Sequence, residues 1–257
     1  MSYIGNSSGW ALSSQSGRDV FPVDYRLVGK PILPEALNEW FHDPTNVDRA
    51  KKHLHRYFAR DVNSRERYTG QLFERHIARS IDYRDSSGHR HFNAFDFLAV
   101  QCLGVQVPPD LTIELLDPSH RANALLRECE EFVSAPRHFN LQTCEYNQLD
   151  ESSPLSHLYR CLRQVGMGRV TTSKLLAARF PDVIPIRDSK VEQLLDLSKS
   201  TEWWAPYKRM VTEGNPSVWE VAGGIEYPTD APSVTTLRKI DVILWMEARS
   251  REKDRQG

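Results

Sequence analysis

The sequence predicts a mostly α-helical protein, and three observations support this. Apolar residues recur at spacings of three and four along most of the 257 residues, as they do on one face of a helix. Ser-Pro and Asp-Pro pairs stand where helices would begin. Only LTIELL, residues 111–116, has the composition of a strand. The chain shows no internal repeat, so we expect about ten helices in one compact or bilobed unit over residues 21–257.

The composition is that of an ordinary globular chain. Hydrophobic residues make up 40%, charged residues make up 26%, and the net charge is -1. No apolar run approaches the roughly 18 residues that a membrane span needs, so we expect no membrane partner. The N-terminal stretch lacks a basic start followed by an apolar region, which argues against a secretory signal and favours a cytoplasmic address. Residues 1–20 are rich in Ser and Gly, and we expect them to be disordered or loosely tethered.

Spacing and capping signals predict the helices of the first half. Three runs carry apolar residues at helical spacing, and they are LPEALNEWF, NVDRAKKHLHRYFAR and FNAFDFLAVQCLG. A fourth run, DPSHRANALLRECEEF, begins with Asp117 as an N-cap and Pro118 at the first helical position. The third of these runs is apolar enough to form a central helix.

The second half continues in the same way. SPLSHLYRCLRQV begins with Ser153 as an N-cap and Pro154 at the first helical position. Three further helices are predicted over Val170 to Phe180, DSKVEQLLDL and SVTTLRKIDVILWMEAR. The helices before and after residue 166 are separated by only a few residues, which predicts a tight helical hairpin at that point.

Positive charge is concentrated around this hairpin. Ser152 to Pro181 contains no acidic residue, and its basic residues are Arg160, Arg163, Arg169, Lys174 and Arg179. The segment therefore carries a charge of +5 inside a nearly neutral chain, which predicts a local positive surface suited to phosphate groups. A solvated helix face whose charges share one sign is the simpler alternative.

Gly166 and Gly168 flank a single residue, Met167, between the two helices. Glycine allows a positive φ and a close approach of the backbone to a ligand. The first backbone N–H groups of the second helix have no partner within the helix, so a phosphate can accept from them and meet the positive end of the helix dipole. The predicted backbone-binding residues are Gly166, Met167, Gly168, Arg169, Val170 and Lys174. An ordinary turn between helices remains the alternative for the glycines.

This order of parts resembles the helix-hairpin-helix DNA glycosylase superfamily. Members of that family have a Gly-apolar-Gly hairpin, a helix, a short loop containing proline, and an aspartate that begins the next helix. Here GMG is followed by a helix, by FPDVIPIR, and by Asp188, which lies 20 residues after Gly168. The resemblance covers residues 155–197.

The resemblance implies a bilobed helical fold with its catalytic segment at 153–198. It implies a DNA glycosylase that flips a base out of the duplex and cleaves the N-glycosidic bond, leaving an abasic site. Asp188 corresponds to the carboxylate that stabilises the positive sugar or positions the attacking water, and a fixed carboxylate suits the charge that develops at C1′. Aromatic side chains can stack on a flipped base, and the candidates for this role are Trp203, Trp204 and Tyr207.

Two departures from the family pattern concern the hairpin. Bifunctional members carry a lysine two residues after the second glycine, where this chain has Val170, and Lys174 comes one helical turn later. We therefore expect a monofunctional enzyme without an efficient lyase step. Val165 also stands where the family usually has a proline.

The expected enzyme needs no cofactor. Many relatives bind an iron-sulfur cluster through four cysteines after the catalytic region, but no cysteine follows Cys161 here, so we expect no such cluster. The four cysteines are scattered without a Cys-x-x-Cys pair and are interpreted as buried thiols. His89 and His91 resemble a metal pair, but no further ligand stands at a suitable spacing. The expected partner is duplex DNA, bound by a monomer.

The sequence is also compatible with two other functions. One is a non-catalytic DNA-binding module in which Asp188 only caps its helix, helped by a capping box from Ser189 to Glu192. The other is a helical protein-interaction domain with a structural hairpin. The target base is open between damaged bases and modified cytosine, because bacterial antiviral glycosylases that act on phage DNA use the same chemistry as repair enzymes.

Overall fold

The computed structural model describes residues 32, 34–60, 68–82, 88, 90–135, 139–197 and 203–254. Within these ranges all regular structure is helical, which confirms the mostly α prediction. The α-helices are α1 (Pro34–His42), α2 (Pro44–Phe58), α3 (Gly70–Asp82), α4 (Ala94–Cys102), α5 (Pro109–Leu116), α6 (Arg121–Ser134), α7 (Pro154–Gln164), α8 (Arg169–Arg179), α9 (Ser189–Leu194), α10 (Trp204–Thr212), α11 (Val218–Gly224) and α12 (Thr236–Asp254). A 3-10 helix spans Tyr146–Leu149. The prediction of disorder over residues 1–20 lies outside the described residues.

One apolar core joins helices from both halves of the chain. α8 packs against α3, α4 and α7, and α12 packs against α2, α9 and α11. Leu54 of α2, Leu176 of α8 and Ile240 of α12 are completely buried in this core. The hairpin helix and the C-terminal helix are therefore central elements, and both contribute to the cavity described below.

The segment 111–116 is helical, so the strand prediction was wrong. It belongs to α5, which begins with a proline at its first position. Leu111 and Leu115 are buried four residues apart, whereas Ile113 between them is 71% exposed. Burial at a spacing of four is helical, and the β-like composition of the run did not reveal it.

One of the two predicted N-caps is confirmed. The Ser153 side chain accepts a hydrogen bond at the start of α7, as expected. The predicted cap of α6 was wrong, because Asp117 accepts from the amide and hydroxyl of Ser119 in a turn before the helix. α6 begins only at Arg121, with His120 as its cap residue. The short Asp side chain closes a turn as readily as it caps a helix.

Two of the five cations in the segment 152–181 lie in the interior, so the expectation of a +5 surface was wrong. Lys174 is 4% exposed and Arg179 is 5% exposed. Arg179 forms ion pairs with Asp96 and Glu130. The reason is the central position of α8, whose residues from Thr172 onward are buried on all sides. The cations left at least partly exposed are Arg160, Arg163 and Arg169.

Several smaller expectations can be compared with the structure. No described helix combines the length and the apolar character needed to cross a bilayer. All four cysteines are free thiols, three of them buried and Cys102 partly buried. In the part of the chain that the structure describes, no three metal-binding side chains are grouped as a metal site would require. His91 is buried, and His89 lies outside the described residues.

Candidate active site

A tight turn joins α7 to α8. Gly166 has a φ of +98°, in the left-handed region that favours glycine. The next residue, Met167, is 1% exposed, and its amide donates to the carbonyl of Leu162. The Arg163 guanidinium donates to the Met167 carbonyl. Met167 therefore anchors the turn in the core, and its amide is already used within the protein.

Gly168 is the exposed N-cap residue of α8, and no side chain caps this helix. A Cβ at Gly168 would meet only the Thr171 hydroxyl oxygen, at 3.9 Å, so packing within the protein does not require glycine here. The missing side chain instead leaves the start of the helix open to a group from outside. Val170 is half-buried on the first turn of α8. Arg169 forms an ion pair with Glu192, at 3.1 Å between the guanidinium and the carboxylate.

Asp188 is held between two elements. It is the N-cap residue of α9, and its Oδ1 accepts from the Lys190 amide at 3.0 Å. Its Oδ2 accepts from Lys174 Nζ, also at 3.0 Å. The Asp188 side chain remains 17% exposed. The capping role is thus present, but it occupies only one of the two carboxylate oxygens. Glu192 does not complete a capping box, because it pairs with Arg187 and Arg169.

Lys174 lies beside Asp188 and away from the hairpin surface. Its Nζ also donates to the Leu103 carbonyl at 2.9 Å. Because the side chain points into the protein, it is not placed to add charge at Gly168, where the sequence predicted a phosphate contact. The structure instead groups this lysine with the candidate catalytic carboxylate.

Asp188 and Lys174 line a cavity of about 200 Å³, which we call the Asp188 cavity. Its apolar wall is formed by Tyr57, Tyr68 and Trp245. The two tyrosine rings are stacked, with centroids 5.3 Å apart and planes 7° from parallel. The Trp245 ring is nearly perpendicular to both, at interplanar angles of 84° and 89°. Flat aromatic surfaces of this kind are suited to contact a planar ring.

Cations flank the aromatic wall. Arg249 lies over the Trp245 ring, with its guanidinium carbon 4.7 Å from the ring centroid. Arg238 forms an ion pair with Glu74 and donates to the Tyr57 hydroxyl at 3.0 Å. Arg238 is therefore fixed by its partners, whereas Arg249 lies against the rings.

Asp241 is a second carboxyl group lining the Asp188 cavity. Its Oδ1 accepts from the Tyr207 hydroxyl at 2.8 Å, and its Oδ2 accepts from the Ile186 amide at 3.1 Å. Burial raises the pKa of the Asp241 carboxyl to about 7, although the nearby Arg238 and both hydrogen bonds lower it. Tyr207, a predicted base-pocket residue, is fully buried and contributes through this hydrogen bond.

The other two predicted base-pocket residues line a different cavity. Trp203 and Trp204 face a space of about 340 Å³ that also contacts Arg187. Arg187 and Asp188 are adjacent in the chain and face different cavities, as neighbours in extended backbone do. The structure therefore does not bring the two tryptophans to Asp188.

Sequence patterns did not reveal the aromatic wall or the second carboxyl group. Tyr57 and Trp245 have the helical spacing of core residues, and spacing does not distinguish a core side chain from one that lines a cavity. Arg238 and Asp241 did leave a signal, because they are charged residues three apart in the run LRKIDVILW, which is apolar apart from these two and Lys239. Buried charged groups in a cleft are candidates for a functional site.

Comparison with known proteins places the chain in a family. A family model, DUF6308, described as a family of unknown function, matches residues 50–248. No curated protein and no solved structure matches the chain. The matched region is more than half of the chain and includes the hairpin, Asp188, Asp241 and the aromatic wall. The protein therefore belongs to the DUF6308 family, a family of unknown function.

Proposed function

We propose that this protein is a monofunctional DNA glycosylase with a bilobed helix-hairpin-helix fold. It holds the DNA backbone at the 166–170 hairpin and uses Asp188 to break the N-glycosidic bond of a flipped base. One observation carries the proposal: Asp188, 20 residues after Gly168, is partly exposed in a cavity with an aromatic wall. The resemblance comes from residues 155–197, whereas the aromatic wall comes from residues outside that segment. Asp188 is common to both observations.

The cavity suits a nucleobase in size and in chemistry. A space of about 200 Å³ accommodates one heterocyclic ring system. Tyr57, Tyr68 and Trp245 line this space, and their rings offer aromatic surface to a base that has lost its stacking in the duplex. A base in this cavity has its sugar on the side of the partly exposed Asp188, where a negative charge stabilises the developing oxocarbenium ion.

The hairpin suits a phosphate. Gly168 leaves the start of α8 without a side-chain cap, so the first amides and the positive end of the helix dipole are available to an anion. Arg163 and Arg169 remain at least partly exposed near this point. We assign the phosphate contact to the backbone at Gly168 and Val170, because the Met167 amide and Lys174 are engaged elsewhere. Arg163 and Arg169 add positive charge nearby while they remain bonded to the Met167 carbonyl and to Glu192.

A hydrolytic mechanism suits the placement of Lys174. Its ammonium donates to Asp188 and to the Leu103 carbonyl, so it acts as a charged donor that holds the carboxylate. A Schiff base requires a neutral amine that is free to attack the sugar. We therefore assign Lys174 to positioning of Asp188, and we assign the attack at C1′ to water.

The experiment is Asp188→Asn, assayed for base release by mass spectrometry and for duplex binding by fluorescence anisotropy. Asparagine also caps helices well, so α9 should persist while the negative charge is lost. We expect release to fall by about 100-fold or more, with binding within about threefold of the wild type. Asp43→Asn is the matched control, because Asp43 caps α2 on the surface.

Two outcomes would contradict the proposal. Full base release by Asp188→Asn would remove Asp188 from the mechanism. Salt-sensitive DNA binding by the wild type, with no base released from unmodified, alkylated, oxidised or phage-modified duplexes, would favour a non-catalytic DNA-binding module.

A further inference from the structure

The Asp188 cavity contains a second carboxyl group in a different electrostatic setting. Asp188 is paired with the ammonium of Lys174. Asp241 is 4% exposed, and its hydrogen-bond partners, the Tyr207 hydroxyl and the Ile186 amide, are both neutral. Asp188 is bonded to a cation and Asp241 is not, so the two acidic groups are suited to different roles in acid-base chemistry.

The chain fixes these two groups relative to each other. The Asp241 carboxyl accepts from the backbone amide of Ile186, two residues before Asp188. Two residues of extended chain cover roughly 7 Å. Ile186, Asp188 and Asp241 all line the same cavity. A base bound there therefore lies within reach of both carboxyl groups, with Asp241 on α12 and Asp188 at the start of α9.

The nearest cation is bonded to other groups. Arg238 lies one turn before Asp241 on α12, but its guanidinium donates to Glu74 and to the Tyr57 hydroxyl. Each carboxyl oxygen of Asp241 has two acceptor positions, and the hydrogen bonds from Tyr207 and Ile186 use one on each. A proton on the remaining position of either oxygen completes the hydrogen bonding without placing a negative charge in the interior.

We propose that Asp241 is the general acid that protonates the departing base, so that the enzyme acts on neutral bases that leave only when protonated. This inference rests on the proposed glycosylase function. The C1′–N bond breaks with its electron pair on the base, and the Asp241 proton goes to a ring nitrogen or carbonyl oxygen of that base. The oxygen of a water molecule bonds to C1′, and the proton that this water loses goes to Asp188. Asp188 then releases the proton to solvent, and solvent returns a proton to Asp241.

The proposal predicts the class of substrate. An N7-methylated guanine is already cationic in DNA and departs without further protonation. Uracil, hypoxanthine, oxidised guanine and hydroxymethylcytosine are neutral and become better leaving groups when an acid donates to them. Asp241 therefore matters for the neutral class and has little to contribute to the cationic one.

The pH dependence has a defined sign. Asp241 acts as an acid only in its protonated form. Its titration therefore leaves the rate constant for release of a neutral base unchanged at low pH and lowers it above a pH of about 7. The charged and titratable groups that act on Asp241 directly are Arg238, Glu74 and Tyr207. Those that line the cavity with it are Tyr57, Tyr68, Cys102, Lys174, Asp188 and Arg249. Tyr207 lowers the pKa of Asp241 through its hydrogen bond, so Tyr207→Phe should move the fall to higher pH.

The test measures single-turnover release from duplexes containing one of these four neutral bases or N7-methylguanine. Asp241→Asn is compared with Asp254→Asn, a matched change at the exposed end of α12. We expect Asp241→Asn to lower release of a neutral base by about 100-fold and to remove the fall above neutral pH. Release of N7-methylguanine should fall much less. If Asp241→Asn does not fold, the shifted pH profile of Tyr207→Phe provides the same test.

The outcomes separate this inference from the proposed function. Wild-type release of only the cationic base, or a neutral-base rate that Asp241→Asn leaves unchanged, would overturn the general-acid role while the glycosylase proposal stands. An unshifted pH profile for Tyr207→Phe would also overturn it. Absence of release of any base, or full release by Asp188→Asn, would overturn the glycosylase proposal and this inference with it.

Discussion

Lys174 Nζ lies 3.0 Å from Oδ2 of Asp188, with the ammonium further held by the Leu103 carbonyl at 2.9 Å. The lysine is on the hairpin helix α8, and the aspartate begins α9, so this ion pair links the two elements of the candidate site. With both partners lining one cavity, the pair fixes where the negative charge of the site lies.

Loss of the Lys174 amine should slow base release. Lyase activity should be absent from both the wild type and the variant. We expect Lys174→Met to lower single-turnover release by about tenfold, because Asp188 loses the donor that orients it. Borohydride added during turnover should trap no covalent DNA adduct, since the amine is held by hydrogen bonds to Asp188 and to the Leu103 carbonyl. A trapped adduct that disappears in Lys174→Met would show that the lysine is a nucleophile, contrary to this prediction.

A side chain on Gly168 should weaken DNA binding while leaving the fold intact. The Cβ of Gly168→Ala has room within the protein, so the melting temperature should not change. It would nevertheless stand at the open start of α8, and we expect binding to weaken by about fivefold, or on the order of 1 kcal/mol. Fluorescence anisotropy measures the affinity, and Gly224→Ala, whose Cβ would meet nothing within 4 Å, is the control.

Gly166→Ala is a poorer test of the same contact. Its φ of +98° makes any L side chain strained, so lower stability would accompany any loss of binding. If Gly168→Ala binds DNA as tightly as the wild type, the hairpin is a structural turn.

Tryptophan substitutions in the two cavities should affect base release differently. Trp245→Leu removes a face from the Asp188 cavity and should lower base release by about tenfold, which corresponds to the loss of about 1.4 kcal/mol of stacking. Trp204→Leu alters the other cavity and should leave release within about twofold at a temperature where both variants are folded. The reverse result would place the base among Trp203 and Trp204.

Asp241 should make the protein less stable as pH rises toward neutrality. Its pKa is about 7 in the folded protein against an ordinary value of 3.8, so the unfolded chain releases this proton first. The free energy of unfolding therefore decreases between these pH values, by at most about 1.4 kcal/mol per pH unit for this one group. Urea denaturation of the wild type and Asp241→Asn should show a stability difference that changes over this window and levels off above it. A difference that is independent of pH would contradict the raised pKa.

Glu247 should act in the opposite direction at acid pH. Burial opposes its ionisation, but hydrogen bonds from His53 and Arg251 and the charges of Arg251 and Arg49 hold its pKa at about 2, below the ordinary 4.5. Its contribution to stability is complete above 4.5 and is lost as pH falls toward 2. Glu247→Gln should be less stable than the wild type at neutral pH, with a difference that narrows on acidification. A constant difference in urea denaturation would argue against the pairing.

Local patterns predicted much of the helical structure. The Ser153 cap and the apolar spacing in α2, α4, α7, α8 and α12 are properties of neighbouring residues, which is why the sequence predicts them. The pattern of glycines followed by Asp188 is local in the same sense. α3, α10 and α11 were not predicted, and the strand over 111–116 was wrong, because local preference competes with packing that the sequence does not display.

By itself, then, the sequence determined the helical class, the hairpin at Gly166 and Gly168, and the position of Asp188 at the start of a helix. The tertiary structure decided which groups surround that aspartate. Tyr57, Lys174 and Asp241 come from α2, α8 and α12, and only packing of these helices in one core brings them together. Because cavity shape and burial depend on contacts between distant segments, no local period encodes them. For the same reason the sequence shows Asp241 as a charged residue in a largely apolar helix, but not that it lies in the same cavity as Asp188.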